Sequence, residues 1–146
     1  MFANLLRRLS GRDDNAPLAT DETRVAMAAL LVIAAHADHD YADVERTQIE
    51  RVLADRYQLD ANAAATLRAE GEAAEAAAMD LYKFTSLIKR AIPYEERASV
   101  LEAMWRVVLA DAQREMHEET LMRRVTDLLG LDPRESVDAR RRAQSA

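Results

Sequence analysis

The sequence predicts an all-α fold, a compact multi-helix bundle with two pseudo-repeated helix-loop-helix halves, and three observations carry that prediction. Apolar residues make up 49% of the chain but aromatic residues only 5%, and Gly and Pro number three each. Strand-rich and loop-rich architectures draw on aromatic, Gly and Pro residues more heavily. Apolar positions recur with a period near 3.6 along successive segments, the repeat of an amphipathic helix. Finally, Ala37, Asp38 and Glu45 return as Ala110, Asp111 and Glu118 at a constant separation of 73 positions. Leu31, Ala35, Ile49 and Val52 return at that same separation as Met104, Val108, Met122 and Val125. At 146 residues the chain is long enough for one domain with a substantial core.

The elements follow in order. Residues 1–9 place Phe2, Leu5, Leu6 and Leu9 on one helical face beside Arg7 and Arg8. Such a segment can dock on the body of the protein or on a partner, the preferred reading, or touch a membrane surface peripherally. It lacks the small-residue cleavage site of a signal peptide. The stretch 11–19, with Asp13, Asp14, Asn15 and Pro17, reads as a flexible connector. Residues 1–19 are therefore set apart from a helical domain expected over 20–142, with 143–146 as a disordered tail.

Within the domain, Thr20 or Asp21 caps a helix that carries Ala26, Met27, Leu30, Leu31, Ile33 and Ala34 to about His36. An acidic loop follows, and near Asp43 a second helix begins, bringing Val44, Ile49, Val52 and Leu53 inward and ending near Tyr57. Asp60 opens a long Ala-rich helix in which Gly71 marks a bend or a close helix crossing. Asp80 is placed to cap the next helix, whose buried side is Leu81, Phe84, Leu87 and Ile88. Pro93 ends that element and suits the first turn of its successor, which runs through Val100, Met104 and Trp105 to Asp111. After the second acidic loop a helix from about His117 reaches Leu129, with Gly130 as its C-cap, and Asp132 with Pro133 opens a last short helix. Trp105, Phe84, Tyr82 and Tyr94 all fall in registers compatible with the core.

Composition excludes several classes of function. With no cysteine there is no disulfide frame, thiolate zinc site or thiol catalysis, which suits a reducing cytoplasm. A net charge of -6 argues against a nucleic-acid binder, and Arg140, Arg141 and Arg142 read as a solvated helix end. No apolar run approaches the ~20 residues of a membrane span. The chain has no Gly-rich phosphate loop, no nucleophile elbow and no His-Glu-x-x-His helix, so no enzymatic reaction is expected.

The acidic loops carry the remaining chemistry. An Asp at a helix C-terminus faces the negative end of the macrodipole, a mismatch of roughly 0.3–1 kcal/mol that calls for compensation. For Asp38 and Asp111 the compensation is either the free N–H groups of the following helix or a divalent cation, toward which Glu45 and Glu118 supply converging oxygens. His36, His39 and Asp40 crowd the first loop and are weaker candidate ligands, a mixture that suits zinc or another transition metal. The two histidines are otherwise dipole partners, and Asp40, Asp43 and Glu119 otherwise N-cap or first-turn acids. An EF-hand is excluded because the Glu follows the Asp by seven positions and the loop Gly is absent.

The segment Asp80-Leu81-Tyr82-Lys83-Phe84-Thr85, then Tyr94-Glu95-Glu96-Arg97, then Leu101 through Val107, together with both Ala-Asp…Glu loops, resembles the TerB-like family, named for the tellurite-resistance protein TerB. The resemblance covers residues 22–133. It implies a bacterial all-helical domain with two related halves, no established reaction, and a candidate metal site on Asp38, Glu45, Asp111 and Glu118. The family usually places Gly after each Asp, where this chain has His39 and Ala112, and position 113 is Gln rather than an acid. The expected function is non-enzymatic: binding of Ca, Mg, Mn or Zn through the acidic loops, linked to stress or tellurite-resistance systems, with a protein partner. The alternative is a metal-free protein-interaction or membrane-proximal scaffold.

Overall fold

The computed structural model describes residues 20–36, 43–78, 80–110 and 116–145, and helix α1 (Thr20–Ala35) is the axis about which they pack. Every residue from Val25 through Val32 has no accessible surface. A helix apolar on all sides has to be covered on all sides. The cover comes from α2 (Asp43–Tyr57), α3 (Ala61–Ala78), α4 (Leu81–Ala91) and α5 (Tyr94–Val108), while α6 (Met116–Leu128) and α7 (Pro133–Ser145) complete the bundle against α4 and α5. Among the described residues there are seven helices and no strand.

The repeat is a repeat of three helices rather than two. Helices α1, α2 and α3 correspond to α5, α6 and α7, and in each half the first helix packs most extensively on the third. The paired apolar positions are all buried: Leu31 with Met104, Ala35 with Val108, Ile49 with Met122 and Val52 with Val125. Both middle helices end in the same turn. Leu131 N–H donates to Thr126 O and Gly130 N–H to Asp127 O, with Gly130 at φ +74, the hydrogen-bond pair of a Schellman cap. Leu59 N–H likewise donates to Ala54 O, with Gln58 at φ 57. The cap of α6 thus falls one position early, and from there the separation between halves is 72, matching Leu67 with Ala139, Arg68 with Arg140 and Gly71 with Ala143.

Local signals hold at the helix starts. Asp60 Oδ1 accepts from Ala63 N–H at 2.8 Å and Asp80 Oδ1 from Lys83 N–H at 3.3 Å. Asp132 Oδ1 accepts from Arg134 N–H while Glu135 reaches back to Asp132 N–H, both at 2.8 Å, a reciprocal cap. Gly71 marks a crossing: a Cβ built there would lie 2.6 Å from Ala28 Cβ and 2.7 Å from its carbonyl carbon. Only hydrogen lets α1 and α3 approach this closely.

Four expectations are corrected. Val44 is 54% exposed rather than inward, because the buried side of α2 runs through Glu45, Ile49, Val52 and Leu53 and Val44 lies one position off that face. Tyr82 and Tyr94 are 62% and 48% exposed rather than core residues. The buried side of α4 is already taken by Phe84, Thr85, Leu87 and Ile88, and Tyr82, two positions before Phe84, projects away from it. Tyr94 stands in the first turn of α5, its ring 5.7 Å from the Arg97 guanidinium and its hydroxyl 3.3 Å from Glu135. The last helix runs to Ser145, past the expected limit at 142, because Ala139 and Ala143 are both buried. The arginines there are engaged: Arg142 Nε donates to Glu102 at 2.7 Å, Arg141 pairs with Asp138 and Arg140 sits 5.2 Å from the Trp105 ring centre.

Candidate functional site at the acidic corners

The candidate acids belong to the two corners between the first and second helices of each half. Asp38, His39 and Asp40 of the first loop and Asp111 of the second lie outside the described residues. Their companions Glu45 and Glu118 are described, and they occupy the same place in both halves, the first turn of α2 and the first turn of α6. Their accessibilities are 3% and 2%. Glutamate is almost never buried so completely unless it is paired, because losing hydration costs the charged form several kcal/mol. Each makes polar interactions. The positive end of its own helix adds a favourable field in that first turn.

The first corner holds more. His36 closes α1, and its Nδ1 lies 3.6 Å from Oε1 of Glu75 on α3, the histidine about one third exposed and the glutamate buried. At the opposite end of α1, away from this corner, Glu22 in the first turn is 2% accessible and also makes polar interactions. Neither Glu22 nor Glu75 was a sequence candidate. Glu75 had a readable signal, since Ala64, Leu67, Gly71 and Glu75 follow the spacing of the buried face of α3. The abundance of alanine on every side of that helix hid the phase. Glu22 carried no signal, as a first-turn acid is ordinary at a helix start.

Among the described residues no three His, Asp or Glu side chains converge in a metal-binding cluster. What the structure brings together at the first corner is the histidine-glutamate pair, His36 with Glu75. Glu45 and Glu118 are each fixed at one wall of a corner whose loop acids are the remaining candidates. Fixed carboxylate oxygens suit a hard divalent cation, and His36 adds a nitrogen that a softer metal would favour.

A helical bundle of two three-helix repeats joined by α4, with buried glutamates at matching corners, defines the class of this protein. The chain matches the family model described as Tellurite resistance protein TerB over residues 24–141, and it belongs to that family. No curated protein and no solved structure matches it. Among the described residues no helix is long and apolar enough to cross a membrane.

Proposed function

We propose that this TerB-family domain is non-catalytic and binds a divalent cation at its acidic corners, Glu45 with Asp38 in one half and Glu118 with Asp111 in the other. The observation that carries the reading is the matched burial of Glu45 and Glu118, at 3% and 2%, in the first turns of corresponding helices. A carboxylate held still and shielded from water binds a cation with little reorganisation. An ion held there would fix the angle between the first and second helices of each half and so link cation level to the surface offered to a protein partner. His36 and His39, with Asp40, would bias the first corner toward zinc or another transition metal, while the second corner supplies oxygen alone.

We place this role in tellurite-resistance or stress systems of the bacterial cytoplasm, a reading that the family description supports only for tellurite resistance. The chain has no cysteine, so the role proposed is cation-dependent regulation rather than thiol reduction of the oxyanion.

The test is thermal unfolding of the chelator-stripped protein with and without Ca²⁺, Mg²⁺, Mn²⁺ and Zn²⁺. A native-state ligand stabilises by RT ln(1 + [L]/Kd), about 2.7 kcal/mol at a hundredfold excess over Kd. We expect a saturable rise in Tm that Asp38→Ala with Asp111→Ala removes. No response to any of the four ions would overturn the reading and leave these acids as helix caps.

A further inference from the structure

The two halves differ at the seam between their second and third helices. In the first half that seam is bridged by ion pairs. Arg68 of α3 donates from Nε to Glu50 Oε2 at 2.6 Å and lies 2.8 Å from Glu72 through Nη1, and these carboxylates raise its basicity further. In the second half the corresponding seam, between α6 and α7, holds a cavity of about 260 Å³ floored by Trp105 of α5 and Met122 of α6.

The residue correspondence shows what is missing there. Arg140 takes the place of Arg68, but Arg123 stands where Glu50 does and Gln144 where Glu72 does. Both carboxylates of the bridged seam are gone, one of them exchanged for a second guanidinium. Arg140 keeps Glu119 at 4.0 Å, the outer limit of an ion pair, and lies over the Trp105 ring. Arg123 is exposed and forms no ion pair or hydrogen bond among the described residues, although Asp127 is one turn away on the same helix. The apolar side is equally prepared. Trp105 is held across the floor by its indole N–H donating to Ser136 Oγ at 3.2 Å, and Val137 stands 55% exposed at the rim.

We infer that the α6–α7 groove is a docking site for an acidic, amphipathic peptide segment of a protein partner, which lays an apolar side chain against the exposed Val137 and the small edge of Trp105 that reaches the cavity, Trp105 being 5% accessible, and gives Arg123 and Arg140 the carboxylates that Glu50 and Glu72 give Arg68. The volume lies below the ~300–1,000 Å³ usual for small-molecule pockets, so it takes one or two side chains of a larger partner. A central tryptophan flanked by arginines is also the composition of an interface hot spot. Glu119 and Asp127 set the rim against indiscriminate anion binding: the incoming carboxylate displaces the long Glu119 contact, and Asp127 disfavours an approach from the far side of Arg123. The inference does not rest on the cation reading: of its residues only Glu119 stands beside a corner, next to Glu118 in the first turn of α6, and it is not one of the proposed cation ligands.

Trp105 is the one tryptophan of the chain, so its fluorescence reports on this groove alone. The experiment titrates the intact protein with a capped 15-residue peptide, free of aromatic residues, that has leucines at i, i+3, i+4 and i+7 and glutamates between them. A lysine-for-glutamate counterpart and phosphatidylglycerol vesicles are run in parallel. We expect a saturable fluorescence change with the glutamate peptide and binding about tenfold weaker or worse with the lysine peptide, the discrimination that opposed and like charges give at an interface. Arg123→Glu should reverse that preference, and Asp127→Asn should tighten the glutamate peptide. Should Arg123→Glu lose its fold, Val137→Asp, at an exposed rim position, should abolish the signal from the glutamate peptide. Equal binding of both peptides, no saturable change with either, or a response to the vesicles alone would overturn the proposal.

Discussion

Gly71 shows how much a single residue decides here. Intrinsic helix propensity favours Ala over Gly by about 1 kcal/mol in the middle of a helix, so on local grounds Gly71→Ala would stabilise α3. The crossing with α1 reverses the sign. The added methyl would meet Ala28 Cβ at 2.6 Å and the Ala28 carbonyl carbon at 2.7 Å, and neither belongs to a flexible side chain that could swing aside. Overpacking of this kind costs about 1–3 kcal/mol, and Ala28 lies in the fully buried stretch of α1. We predict a net loss of up to about 2 kcal/mol for Gly71→Ala, read as a lower urea midpoint at unchanged slope. Combining it with Ala28→Gly should cost less than the sum of the two single changes, because the two methyls compete for one space. A Gly71→Ala protein more stable than the parent would show that the helices separate more easily than their packing implies.

At the scale of elements, the residue that ties the helices together is Arg97. From the second turn of α5 its guanidinium donates to Ile92 O at 3.2 Å and Lys89 O at 3.4 Å, at the end of α4, and to Leu129 O at 3.2 Å, at the end of α6. Two helix C-termini, each with unsatisfied carbonyls and a negative dipole end, converge on one planar cation. A lysine keeps the charge but not the fork, and charge-assisted bonds are worth roughly 1.5–3 kcal/mol each when fully made. Arg97 is only partly buried, so we predict a loss of about 1–2 kcal/mol for Arg97→Lys and more for Arg97→Ala by urea unfolding. Equal stability of the lysine variant would mean that charge alone suffices. Little of this was legible in advance. The sequence showed where helices start, because Asp60, Asp80 and Asp132 act on neighbours within three residues. It showed the buried faces through the 73-residue pairing, and it located Glu45 and Glu118 as a matched pair. It concealed what depends on distant partners: the three carbonyls of Arg97, the approach of Glu75 to His36, and the outward turn of Tyr82 and Tyr94. The open seam at α6–α7 became readable only once the shift from 73 to 72 set Arg140 against Arg68, beside Arg123, which the separation of 73 already set against Glu50.

For the molecule as a whole, the central question is whether two homologous halves make two folding units. The burial of α1 says that they do not. Its residues Val25 to Val32 have no accessible surface, and that cover comes from α2 and α3 in their own half together with α4 and α5 beyond it. Take away everything after α3 and several of these side chains return to water, at about 1.5–3 kcal/mol for each large one. The net stability of a domain is only about 5–15 kcal/mol, so losing a handful of such contacts leaves nothing. The second half is no better placed, since Phe84, Leu101 and Met104 belong to the same continuous core as α1. We therefore predict one cooperative thermal transition for the intact chain, with calorimetric and van't Hoff enthalpies equal. Fragments covering 1–79 and 80–146 should each show little helix by circular dichroism when alone and recover helical signal when mixed, with a melting temperature that rises with concentration. A fragment 1–79 that melts cooperatively by itself would mean that the repeat still works as two units, and that α4 joins finished halves instead of completing one core.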